Sequence, residues 1–215
     1  MTQPQDAPTA GKRKTQQERK ADSEQGIIRA AIRIIAKQGF LRTTLNEVGE
    51  EAGYTGGLVS HRFGSKNGLL TAVINRIRTR FAQDQIGEST SVEDAEEAIR
   101  RYIEIYMKEV TVRESHMRAL YVIMGEALGG DAEVQAEIAD LNRSFRSQLA
   151  RIVQRGVDNG QFRAGTDPDA AAVLIMGMLR GVVMQYLFDR KAYDTRNIIP
   201  MLQGAALDGL REEKS

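Results

Sequence analysis

Apolar residues recur along this chain at three- and four-residue intervals, the spacing of one face of an α-helix. Ile27, Ala31, Ile34 and Ile35 make one such stripe, which stops at Gly39. Thr44 is followed three residues later by Glu47, the spacing at which each side chain can bond the other's exposed backbone N–H. A short second helix therefore runs from there to Ala52 and closes at Gly53. Thr55 starts a third, very short helix to about His61, and Ser65 a fourth through about Gln85. Residues 87–90 interrupt the pattern, and Ser91 with Asp94 restarts it. Ile99, Tyr102, Ile103, Tyr106, Met107 and Val110 form the next apolar face, and Leu120, Val122, Ile123, Met124 and Leu128 another, ended by Gly129 and Gly130. Val134, Ile138, Leu141, Phe145, Leu149 and Ile152 predict a long amphipathic helix that Gly160 stops. Asp167-Pro168 opens a further helix, with Asp as its cap. A last helix lies between about residues 194 and 210, with Pro200 either marking its start or kinking it. No segment alternates as a strand does, and no repeat has a fixed period. The reading is an all-α fold of about nine helices.

Composition narrows the chemistry. Among 215 residues there is no Cys, which removes disulfides, thiolate metal sites and cysteine nucleophiles together. His61 and His116 are the only imidazoles, so no His-rich metal site is expected, and no cofactor. There is no phosphate-binding Gly-rich loop with Lys-Ser/Thr, no paired-His motif and no G-x-S-x-G turn, so the chain does not read as an enzyme. Residues 1–21 lack the apolar core of a signal peptide. The apolar run over residues 170–179 is cut by Arg180 and is too short to span a bilayer, which makes it a core helix of a cytoplasmic protein with no membrane partner. Residues 1–21 are polar, hold Pro4 and Pro8, and carry the run Lys12, Arg13 and Lys14; they read as a disordered basic arm.

Residues 39–70 carry the functional signal. A helix from Leu45 to Ala52, the turn Gly53-Tyr54 and a second short helix from Thr55 have the proportions of a helix-turn-helix. Gly56 and Gly57 would let the backbone approach DNA closely, and Thr55, Ser60, His61 and Arg62 supply hydrogen-bond donors. Val48, Ala52, Val59 and Phe63 form the small core that sets the angle between the two helices. Here the chain resembles the TetR family of bacterial transcriptional repressors. The likeness is carried over about 30 positions by Thr43-Thr44, Ala52-Gly53, Gly57, Phe63, Ser65-Lys66 and Leu69. It implies that Thr44 contacts phosphate, that Thr55, Gly56, Gly57, Leu58 and His61 face base edges, and that Lys66 binds phosphate at a helix N-terminus. Chemistry agrees for Lys66, because free N–H groups there favour anions. The chain departs from the family's usual Tyr at Ser60, and from its usual His or Tyr at Arg62. Both replacements can bind phosphate, and Arg62 can instead read guanine or pair with an acid such as Glu51. The run Lys12–Lys14 is either a solvated tail or an arm that lies along the minor groove.

For the remainder, the resemblance implies a domain that binds a small molecule and dimerises through the last two long helices. The helix from Asp167 to about Leu187 is apolar nearly all round, and Gly177 and Gly181 lie four apart on one face. Met178, Gly177, Gly181, Met184, Leu202 and Ala206 are the interface candidates. Tyr102, Tyr106, Met107, Met117, Tyr121, Met124, Phe145 and Met176 are candidates for a pliable apolar pocket, or for plain core. The domains so read are an arm at 1–21, a DNA-binding domain at 22–70 and a ligand-binding and dimerisation domain at 71–215. The expected function is a homodimeric repressor on a pseudo-palindromic operator in double-stranded DNA, nucleoid-associated and released by a largely apolar ligand. The alternative is an all-helical protein-interaction module without DNA binding, which predicts no salt-dependent DNA affinity. Charge supports the first: residues 1–86 hold 14 Lys+Arg against 8 Asp+Glu, a net of +6, whereas residues 87–215 hold 16 against 21, a net of −5.

Overall fold

The computed structural model describes residues 15–81, 92–130 and 132–211. The basic run Lys12–Lys14, the break at residues 87–90, Ser91 and the end of the fourth helix near Gln85 lie outside them. The described residues form nine helices and no strand: α1 (Gln16–Gln38), α2 (Leu45–Ala52), α3 (Gly56–Phe63), α4 (Lys66–Phe81), α5 (Ala95–Val112), α6 (Glu114–Ala127), α7 (Ala132–Asp158), α8 (Pro168–Phe188) and α9 (Thr195–Asp208).

Helix α1 starts earlier than its apolar stripe. Thr15 Oγ1 accepts from the N–H of Glu18 at 3.2 Å, and the Glu18 carboxylate accepts from the N–H of Thr15 at 2.7 Å. This reciprocal cap corrects the expected disordered arm over residues 16–21, which are the first turns of α1 although they bury nothing. Farther along, Ile27, Ala30, Ala31, Ile32 and Ile35 are buried, and α1 packs on α2, α4 and α6.

The bundle of α5 to α9 is built on α7, whose buried Val134, Ile138, Leu141, Phe145, Leu149 and Ile152 are the stripe read from the sequence. Helix α8 continues through Arg180 for 21 residues, long and apolar enough by length and composition alone to cross a membrane. This corrects the expectation that Arg180 cuts the apolar run short: the Arg180 guanidinium bonds Asn142 Oδ1 on α7 at 2.6 Å, so the charge is accommodated inside the bundle. One face of α8 (Ala172, Ile175, Met176, Leu179, Val183) is buried on α7 and α5. The opposite face, with Val173, Leu174, Met184 and Phe188, is exposed. Pro200 lies inside α9 and does not begin it; Asp194 caps that helix through the N–H of Arg196.

Candidate nucleic-acid interface

The helix-turn-helix geometry starts at a turn. Thr44 Oγ1 accepts from the N–H of Glu47 at 3.2 Å, and the Glu47 carboxylate takes both the N–H and the hydroxyl of Thr44 at 2.9 Å. These Thr44 bonds hold the Glu47 carboxyl below its ordinary pKa. Thr44 is exposed while it caps α2. At the other end, Gly53 closes α2 with φ 77°, the left-handed region that a side chain disfavours. Thr55 then caps α3, its hydroxyl accepting from the N–H of Leu58 at 3.2 Å.

Val48 and Val59 are fully buried between α2 and α3, with Ala52 and Phe63 beside them. The two helices touch through glycines. A Cβ on Gly49 would lie 2.8 Å from the backbone N of Gly56. A Cβ on Gly56 would meet the Asn46 side chain and lie 2.9 Å from its Cα. Gly56 therefore serves the contact between α2 and α3, which corrects its reading as an opening toward DNA. Gly57 fits that reading better, because a Cβ there would meet only Thr55 Oγ1, at 3.9 Å.

The exposed positions of α3 are Gly57, Ser60 and His61, at the spacing of one helical face. Leu58 is half-buried. Arg62 is turned aside: its side chain is 18% exposed, and Nη1 approaches the Glu24 carboxylate of α1 at 3.5 Å. Glu51, weighed as its partner, is held instead by Arg33 at 2.9 Å. Lys66 is also occupied. Its Nζ donates to the carbonyl of Leu41 at 2.8 Å and sits 4.7 Å from the centre of the Phe40 ring. Sequence reasoning missed Gly49 and Asn46, whose part depends on a helix crossing that local periodicity does not encode.

In the bundle, five of the eight pocket candidates meet. Tyr102 Oη donates weakly to Met176 Sδ at 3.6 Å, and the hydroxyls of Tyr106 and Tyr121 are 3.3 Å apart. Phe81 joins this cluster, edge-on to Phe145 and tilted against Tyr106. Burial pushes the Tyr102, Tyr106 and Tyr121 hydroxyls above their usual pKa. Met107 and Met117 are buried in the same core and Met124 is half-buried. Of the interface candidates, Gly177, Gly181 and Met184 are exposed and Met178 is half-buried on α8. Leu202 and Ala206 are corrected: at 6% and 4% exposure they lie in the chain's own core, and Met201, at 69%, occupies the outer face of α9.

Comparison with known proteins follows the same division. A family model described as bacterial regulatory proteins, tetR family, matches residues 27–73. A second, described as BetI-type transcriptional repressor, C-terminal, matches residues 95–210. The chain is 24% identical over 187 residues to the HTH-type transcriptional regulator AcrR of Shigella flexneri, covering 86% of each protein. The fatty acid degradation regulator FadR of Bacillus halodurans shares the fold, with a TM-score of 0.79 at 21% identity over 94% of this chain and 100% of that one. So does FadR of Bacillus subtilis, solved with stearoyl-CoA, at a TM-score of 0.73 and 19% identity, over 86% of this chain and 95% of that one.

Proposed function

Because the chain belongs to the tetR family of bacterial regulatory proteins and is a DNA-binding transcriptional regulator, we propose that it acts as a homodimeric repressor released from a pseudo-palindromic operator by a small, largely apolar molecule. The observation that carries the DNA-contact assignment is the exposed face of α3. Gly57, Ser60 and His61 stand outward together on a helix whose other side is fixed by Val59 and by the contact of Gly56 with Asn46. Ser60 and His61 read base edges, with Thr55, Gly57 and Leu58 at the groove. Thr44, at the exposed start of α2, contacts phosphate. Lys66 and Arg62 are reserve cations: Lys66 donates to a neutral carbonyl, which a phosphate would outcompete as the charged acceptor, and Arg62 holds the Glu24 carboxylate only at 3.5 Å, which a closer phosphate would replace. Residues 22–70 act as the DNA-binding domain and 71–215 as the ligand-binding and dimerisation domain, although α4 runs unbroken across that boundary.

Dimerisation uses the open faces of α8 and α9. Val173, Leu174, Gly177, Gly181 and Met184 on α8 and Met201 on α9 are exposed, and exposed apolar side chains grouped on helix faces are of the kind that marks an interface. The ligand site is the aromatic cluster around Tyr102, Tyr106, Tyr121, Phe145 and Met176, which is apolar with a few inward hydroxyls. The stearoyl-CoA bound by the Bacillus subtilis protein of this fold supports a ligand with a largely apolar part, such as its acyl chain. The protein works in the cytoplasm, on the nucleoid.

The assignment is tested on a duplex enriched by the wild-type chain from random-sequence DNA. His61→Ala and Ser60→Ala together should weaken that duplex by at least tenfold and leave scrambled DNA unaffected. Lys66→Ala should weaken both. Unchanged affinity of the first pair for the enriched duplex would remove α3 from the interface.

A further inference from the structure

Besides the packing of α1 on α6 and of α4 on α7, carboxylates bond the DNA-binding helices to the bundle, and these come from a single hairpin, the end of α6 and the start of α7. Glu126, in the last turn of α6, reaches the turn that joins α1 to α2. Its Oε2 accepts from the N–H of Phe40 at 2.9 Å and from the N–H of Leu41 at 3.3 Å. On the other arm of the hairpin, Glu133 Oε2 accepts from Asn67 Nδ2 at 2.8 Å, and Glu137 Oε1 from the Thr71 hydroxyl at 3.4 Å, both on α4. Lys66 closes the loop between these two attachments, because its Nζ donates to the carbonyl of Leu41. A continuous polar path thus runs from Glu126 through Leu41 and Lys66 to Asn67 and Glu133.

The turn is shaped to receive the carboxylate. Gly39 has φ 91°, which strains any side chain, and a Cβ there would lie 2.4 Å from Glu126 Oε1 and displace the carboxylate from the turn. Thr43 is buried and ties the turn together, its hydroxyl donating to the carbonyl of Gly39 at 2.6 Å. The next residue is Thr44, the cap of α2. Whatever holds Phe40 and Leu41 therefore sets where α2 begins, and through the glycine contact with α2 it sets where α3 points.

We propose that Glu126 is a positioning residue for operator recognition: its carboxylate holds the α1–α2 turn in the register that presents α3 to the groove. This rests on the DNA-binding reading above and adds the residue by which the regulatory domain controls it. Glu126 touches no DNA. Its loss leaves Phe40 and Leu41 N–H without their partner and lets α2 and α3 shift as a unit, because Val48, Val59 and the glycine contact keep that unit intact. Misplacing a reading helix weakens specific binding, while the sequence-independent phosphate contribution persists.

The test compares Glu126→Ala and Glu126→Gln with wild type on the enriched duplex and on a scrambled one, with amide hydrogen exchange read in the free protein. Gln keeps an oxygen where Oε2 stands, so it should hold both N–H groups. The expected result for Glu126→Ala is roughly tenfold weaker binding to the enriched duplex, unchanged binding to the scrambled one, and at least tenfold faster exchange confined to the Phe40 and Leu41 amides. Glu126→Gln should recover affinity to within threefold. Equal losses on both duplexes, or a full-strength Glu126→Ala complex, would overturn the role of Glu126. Should the wild-type chain enrich no duplex at all, the operator reading falls and the positioning role with it, and the exchange data would then report only a structural bond.

Discussion

Adjacent glycines in α3 do different work. Gly56 faces Asn46 at a distance no Cβ tolerates, while a Cβ on Gly57 would make only an ordinary contact with Thr55 Oγ1. Gly56→Ala should therefore cost about 1–3 kcal/mol, the range for forcing atoms into a filled contact, seen as a lowered Tm. Gly57→Ala should leave Tm unchanged or raise it, since Ala exceeds Gly in helix propensity by about 1 kcal/mol, yet it should weaken the enriched duplex by crowding the groove face. His116 offers a pH test. Burial first, then Arg80, Arg113 and Arg76, lower its pKa from 6.5 to about 4. The unfolded chain then takes up this proton below pH 6.5 while the folded chain does not until about pH 4. Stability from this group is complete above 6.5 and is lost as pH falls toward 4. His116→Gln should flatten the dependence of Tm on pH across that window, by an amount well short of the full shift because solvent screens the partly exposed ring. Single-residue roles were the least legible in sequence. Arg62 and Lys66 look alike as free cations, and only the fold shows that Glu24 and Leu41 hold them.

Among the helices, caps and stripes were readable because both are local. Thr44 with Glu47 and the buried face of α7 are as the spacing predicts. What the pattern could not convey was phase against a partner. Helix α9 has apolar residues on two sides, and the fold turns Leu202 and Ala206 inward and Met201 outward. Likewise the helix read from Asp167 to about Leu187 has the observed length, but the sequence does not show that Asn142 on α7 accepts from Arg180 within it. The exposed apolar face so defined carries its own prediction. Leu174 is 68% exposed in the single chain and borders a groove of about 370 Å³ with Met178, Ala205 and Gly209. Leu174→Glu should fold normally, sediment as a monomer and bind the enriched duplex at least a hundredfold more weakly. A variant that remains dimeric would move the interface elsewhere.

Over the whole molecule, the formal charge of +1 averages a basic N-terminal region and an acidic C-terminal one. On the proposed reading the basic region meets phosphate, and binding is expected to depend steeply on salt. The proposed dimer through α8 and α9 would present two copies of α3 related by a two-fold axis, and so would require a two-fold related site with half-sites about 34–36 Å apart, or a multiple of that spacing. The most direct measurement is selection of duplexes from random-sequence DNA by the full chain, followed by the stoichiometry and salt dependence of the bound complex. The account predicts enrichment of a pseudo-palindrome bound by dimers, with affinity falling steeply as salt rises. Enrichment of nothing, or of an asymmetric sequence bound by a single chain with little salt dependence, would contradict it.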